Sequence, residues 1–147
     1  MYYKDFTVYD NFIRYADASI LNVGWLDKDH AFEKGETPEG LLKKLRQILM
    51  SEGIFESRHH QKRGTTPCTL CGVDKFPDLF VGTCELWIPS IENDLYFVTP
   101  STVIHYIEYH NYRPPQIFVD SVLQLNLAHA FRASDLYYKT AKKLADL

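Results

Sequence analysis

The spacing of apolar positions changes several times along the chain, and each change marks an element. Residues 2–9 and 20–26 form short mixed runs that predict extended pieces near the N-terminus. Leu41, Leu42, Leu45, Ile48 and Leu49 then recur at helical spacing, with Lys43, Lys44, Arg46 and Gln47 mostly on the other side. Thr37 suits the cap of this helix, Pro38 its first position and Glu39 the positive end of its dipole, while Gly53 suits its end. The stretch 57–77 is polar and irregular. Residues 79–88 predict a strand with Val81, Thr83, Glu85 and Trp87 on one face and Phe80, Gly82, Cys84, Leu86 and Ile88 on the other. Glu92-Asn93-Asp94 is a turn signal, after which residues 95–98 return as a hairpin partner. Ser101 suits the cap of a short helix running to His110. Pro114-Pro115 ends that helix and starts another, on which Ile117, Phe118, Ser121, Val122, Leu125 and Ala128 share a face. Ser134-Asp135 opens a last helix with Lys139, Lys142 and Lys143 near its negative end. This order predicts an α+β fold: an antiparallel hairpin or small sheet packed against about four helices.

Composition narrows the class. The 147 residues suit one domain spanning 1–147, and with 46% apolar and 14% aromatic residues the core should be rich in large rings. A net charge of −3 argues against a protein held to nucleic acid by phosphate contacts. The N-terminus shows no basic end followed by an apolar run, and no window reaches about 18 apolar residues, so a soluble, cytoplasmic protein away from membranes is expected. Three cysteines without a secretory signal point to reduced thiols or metal ligands before a disulfide framework.

The candidate chemistry lies at two places. Pro67-Cys68-Thr69-Leu70-Cys71-Gly72 has the form of a zinc knuckle, in which two thiolates three positions apart converge on one metal across a tight turn. After the hairpin, His105 and His110 form a His-x4-His pair. Residues five apart on a helix differ by about 140°, so both imidazoles reach one ion only if the last turn loosens. Asn111 and the following prolines favour that. The expectation is a closed structural Zn2+ site of Cys68, Cys71, His105 and His110. A redox Cys-x-x-Cys needs a helix N-terminus in a thioredoxin-like pattern, which the Gly, Asp and Pro that follow Cys71 do not supply; two unpaired structural thiols are the other alternative to zinc. His59 or His60 could replace His110 as a ligand, whereas Cys84, on a face with Phe80, Leu86 and Ile88, reads as a buried apolar residue.

A family resemblance rests on three stretches: Val23-Gly24-Trp25-Leu26-Asp27; Arg63-Gly64 followed by Cys68-x-x-Cys71; and His105-Tyr106-Ile107 with His110, Tyr112, Arg113, Pro114 and Pro115. Together they resemble an uncharacterised bacterial domain family, over residues 2 to 123. The resemblance implies pairing of the knuckle with His105 and His110, and it implies no activity. The chain departs from that pattern at Thr66 or Pro67, where members often carry His, and at Cys84, where Gly is common.

Three function classes follow. The first is a non-enzymatic module that binds another protein, of the immunity or accessory kind with a toxin as partner. Its surface candidates are Arg58, Lys62 and Arg63 in a basic run, and the aromatics Tyr109 and Tyr112. The second is a zinc-dependent hydrolase with water replacing one His, although no catalytic set accompanies the site. The third is a nucleic-acid module using residues 58–63. Asp27, Asp29, His30 and Glu33 group near Trp25, and the expectation there is an Asp-capped turn.

Overall fold

The computed structural model describes residues 2–10, 19–60, 68–71 and 84–145. In chain order the elements are β1 (Ile20–Asn22), α1 (Leu41–Met50), β2 (Phe55–Glu56), β3 (Arg58–His59), β4 (Glu85–Pro89), β5 (Tyr96–Pro100), α2 (Val103–His110), α3 (Gln116–Gln124), β6 (Phe131–Arg132) and α4 (Ala133–Ala145). Four strands form a sheet in the order β1-β5-β4-β3, and β2 pairs with β6 in a separate ribbon. The fold is α+β, as the sequence predicts. Among the described residues no helix is long and apolar enough to cross a membrane.

The hairpin β4–β5 is the centre, pairing antiparallel from Glu85 opposite Pro100 to Pro89 opposite Tyr96. The predicted strand faces hold where they are described. Leu86, Ile88 and Phe97 face a core shared with α1, α2 and α3, while Trp87 and Val98 face a second cluster with Tyr9, Ile20 and Ala133. Both faces are covered, so β4 is buried from Glu85 to Ile88. The part of the expected strand before Cys84 lies outside the described residues.

Several expectations need correction. The sheet is mixed, because β1 runs parallel to β5 and pairs Ile20 with Tyr96. The N-terminal segment then covers β1, with bridges from Tyr3 to Trp25 and Val8 to Leu21. Helix α1 begins at Leu41, and Thr37 does not cap it. Gly40 occupies the cap at φ 90°, a left-handed conformation open to glycine, and the Leu41 N–H reaches the Pro38 carbonyl at 3.3 Å. Its apolar face is as expected, with Leu41, Leu45, Ile48 and Leu49 buried. Ser101 is no helix cap either. Its N–H donates to the Cys84 carbonyl at 2.9 Å and its hydroxyl accepts from the Cys84 N–H at 3.3 Å, so it extends the hairpin ladder. Helix α3 stops at Gln124 because Leu125 turns extended, which leaves Ala128 outside the helix and exposed. The ribbon β2–β6 carried no sequence signal. Two-residue strands have no period to read, and pairing of Phe55 with Phe131 and an Arg132–Glu56 ion pair at 3.1 Å define it.

Helix α4 packs on β3, where Tyr137 meets both histidines of that edge, with ring centroids 4.5 Å from His59 and 4.8 Å from His60. Beneath them Glu85 is buried in the second cluster. It accepts hydrogen bonds from the Tyr9 hydroxyl at 2.9 Å and from Trp87 Nε1 at 3.2 Å. A buried carboxylate needs such donors to offset lost hydration. Burial first, and the Glu85 charge second, push the Tyr9 phenol pKa up.

Two predictions follow from this packing. Gly24 sits at φ 79°, and an added Cβ would lie 2.8 Å from Thr99 Oγ1 and 2.9 Å from Val103 Cγ2. Gly24→Ala is expected to cost about 1–3 kcal/mol, read as a lower denaturation midpoint in urea. Burial first and His60 second lower the His59 pKa from 6.5 to about 4. Between those values the unfolded chain binds the extra proton. Stability should therefore be intact above the upper value, fall as pH drops through the window, and level off below it. Solvent at the partly exposed ring reduces the size of this effect. In His59→Gln the fall should be shallower than in the parent protein, as measured by urea titrations across that range.

Candidate metal centre

Cys68 lies at the start of a turn through Cys71, and the two histidines are carried by α2. His105 is the third residue of that helix and is 2% exposed, while His110 is its last residue. An ordinary helix would point them apart. Here the end of α2 widens: the Asn111 N–H bonds back to the Tyr106 carbonyl, five residues away, and the Tyr112 N–H bonds to the same carbonyl at 3.2 Å. Asn111 makes this possible by taking φ 55°, a left-handed conformation that Asn tolerates better than most residues. The loosening expected from the sequence is therefore present. It brings the two imidazole rings to 5.1 Å between centroids.

The four side chains converge. Cys71 Sγ lies 3.1 Å from His105 Nε2 and 3.0 Å from His110 Nε2, and Cys68 Sγ lies 3.6 Å from His110 Nε2. All four donor atoms lie within 4.8 Å of one another. A tetrahedral ion with sulfur at about 2.3 Å and nitrogen at about 2.0 Å sets its donors roughly 3.3–3.8 Å apart. The three sulfur–nitrogen separations of 3.0, 3.1 and 3.6 Å lie in or just below that range, and the wider pairs would close by up to about 1 Å around a shared ion. Both histidines present Nε2 to the centre. Burial first and the charge of Lys34 second hold the His110 pKa below its usual range, favouring the neutral ring that a metal ligand must be. Burial, followed by the charge of Cys68, pushes the Tyr106 phenol up, and its hydroxyl donates to the Leu26 carbonyl at 3.4 Å.

The remaining candidates separate cleanly. His59 and His60 pack at tilted and edge-on angles against each other and Tyr137 beside Trp87 and do not join the thiols, so His110 and not either of them completes the group. Cys84 is buried in the main core and does not join. Arg58 forms an ion pair with Glu52 at 3.2 Å, while Lys62 and Arg63 lie outside the described residues. Tyr109 is 52% exposed, as expected. Tyr112 is a correction. It is fully buried, with its hydroxyl donating to Asp5 Oδ2 at 2.8 Å, because the widened end of α2 turns it inward under Gly24. The Asp27 turn is as expected: Asp27 accepts from the Asp29 N–H at 3.1 Å and contacts His30 Nδ1 at 2.7 Å.

A family model described as a domain of unknown function (DUF7919) matches residues 1–123 and so includes all four donors. No curated protein and no solved structure matches the chain. With most of its length inside that match, the chain belongs to this family of unknown function.

Proposed function

We propose that Cys68, Cys71, His105 and His110 bind one Zn2+ as a closed structural site, and that the domain it organises is a non-catalytic module for binding another protein. The observation that carries the metal reading is the convergence of two sulfurs and two Nε2 atoms on one point. Four protein ligands complete a tetrahedron and leave no position for a reactive water, which distinguishes structural from catalytic zinc. The metal would tie the 68–71 turn to α2, so its binding energy becomes folding energy. Support for a protein partner comes from Tyr109, an exposed aromatic ring on the ligand-bearing helix whose centroid is 5.1 Å from that of His105. An immunity or accessory role, with a basic toxin as partner, is the finer form of this reading. The net charge of −3 and the small size support it.

The metal is tested directly. Purified protein should carry one zinc per chain, and cobalt substitution should give the absorption bands of a tetrahedral site with two sulfurs. Cys68→Ser or Cys71→Ser should lose the metal and several kcal/mol of stability, whereas Cys84→Ser should keep the metal. A zinc site with bound solvent and only three protein ligands would favour the hydrolase reading instead. For the partner, Tyr109→Ala should weaken binding to a co-purifying protein about tenfold or more while leaving the melting temperature nearly unchanged.

A further inference from the structure

Beyond the segment that follows His110 an open cleft of about 620 Å3 lies between residues 2–6, Leu26, residues 31–33 and residues 113–116. Sites for small ligands run from about 300 to 1,000 Å3. Three observations mark this cleft as more than a gap. The first is Phe6, which holds φ 69°, a conformation bulky side chains rarely adopt, and leaves its ring 46% exposed at the cleft wall. Hydrogen bonds keep it there, from the Phe6 N–H to the Asn22 carbonyl at 2.8 Å and from the Thr7 hydroxyl to the Lys4 carbonyl at 2.7 Å. Strained backbone that presents an aromatic ring to solvent is a recurring mark of binding sites.

The second observation is charge. Lys4, Glu33 and Arg113 line the cleft, and among the described residues none of them takes part in an ion pair. Asp5, by contrast, is satisfied by the Gly24 N–H at 2.9 Å and the Tyr112 hydroxyl at 2.8 Å. The cleft therefore offers two uncommitted cations and one uncommitted carboxylate. The third is rigidity. Tyr2 stacks on His30 at 3.8 Å with an interplanar angle of 1°, and the Arg113 N–H is fixed to the Glu33 carbonyl at 3.0 Å. An added Cβ at Gly35 would stand 3.2 Å from Arg113 Cδ, so glycine there lets the arginine stem lie against the backbone.

We propose that this cleft binds a small planar aromatic anion. Its ring would sit among Tyr2, Phe6 and Phe32, its anionic group would lie on Arg113 and Lys4, and Glu33 would accept a hydrogen bond from a hydroxyl or amino substituent. The volume favours a small molecule. Formal charge in the lining balances, Lys4 and Arg113 against Asp5 and Glu33, but Asp5 is held by the Gly24 N–H and the Tyr112 hydroxyl, so an anionic group would be taken up at Arg113 and Lys4. None of these residues is a proposed metal ligand, so the inference stands apart from the zinc site.

The test uses the intact, metal-loaded protein and two probes, adenosine monophosphate and indole-3-acetate, followed by amide chemical shifts and calorimetry. At least one probe should bind with a dissociation constant in the millimolar range or below and shift the signals of residues 2–6, 26–33, Arg113 and Gln116. Its uncharged counterpart, adenosine or indole, should bind about tenfold more weakly, and so should inorganic phosphate alone. Arg113→Gln should weaken binding by about tenfold or more with the melting temperature retained, since the side chain is exposed; Lys4→Gln is the second variant should the first fail to fold. The proposal is overturned if neither probe shifts these signals at millimolar concentration. Equal binding of the charged and uncharged probes, or binding indifferent to both substitutions, would also overturn it. So would a proline-rich peptide that occupies the cleft where both small anions fail.

Discussion

The end of α2 is the constraint on which the site and its surroundings depend. A regular helix cannot aim two histidines five residues apart at one point, because they lie about 140° apart around its axis. Asn111 in its left-handed conformation, and the double use of the Tyr106 carbonyl, widen the final turn enough to bring His110 beside His105. The same widening turns Tyr112 into the core and sends Arg113 back along Glu33. One local departure from helical geometry thus supplies a ligand, a core residue and a wall of the cleft.

The hairpin gives α2 its footing. With both faces of β4–β5 covered, the chain leaving β5 enters α2 from a buried strand end, Thr99 and Pro100, and the helix is buried from Val103 through Ile107. His105 is held among those buried positions and has little freedom to move. The thiols approach from the opposite side on a short turn whose described residues are only partly buried. A shared ion would offset the entropy of ordering that turn, of which Cys68 and Leu70 pack against the main core.

An isolated antiparallel bridge between Lys34 and Tyr112 connects the two sites. This bridge, flanked by hydrogen bonds from Gly35 N–H to the Asn111 carbonyl and from Arg113 N–H to the Glu33 carbonyl, runs from the end of α2 that carries His110 to the cleft. Lys34 also lowers the His110 pKa from this position and lies 5.2 Å from the centroid of the Phe32 ring. Charge and backbone are therefore shared across a short distance by two groups of residues with different chemistry.

Local chemistry in the sequence determined much of this. The Cys-x-x-Cys spacing, the helical repeat from Leu41 to Leu49, the Glu92-Asn93-Asp94 turn and the two-faced pattern of β4 each report on neighbours a few residues away, and each is present in the structure. What depends on distant partners was not readable. Gly40 in place of Thr37 at the start of α1, the parallel pairing of β1 with β5, the ribbon β2–β6 and the inward turn of Tyr112 all answer to contacts many residues removed. His110 shows the boundary most clearly. Its spacing from His105 disfavoured a shared ion on a regular helix, while Asn111 and the prolines hinted that the helix would loosen. Only the packed structure, in which Asn111 and Tyr112 both bond back to the Tyr106 carbonyl and Tyr112 is buried onto Asp5, decided that it does.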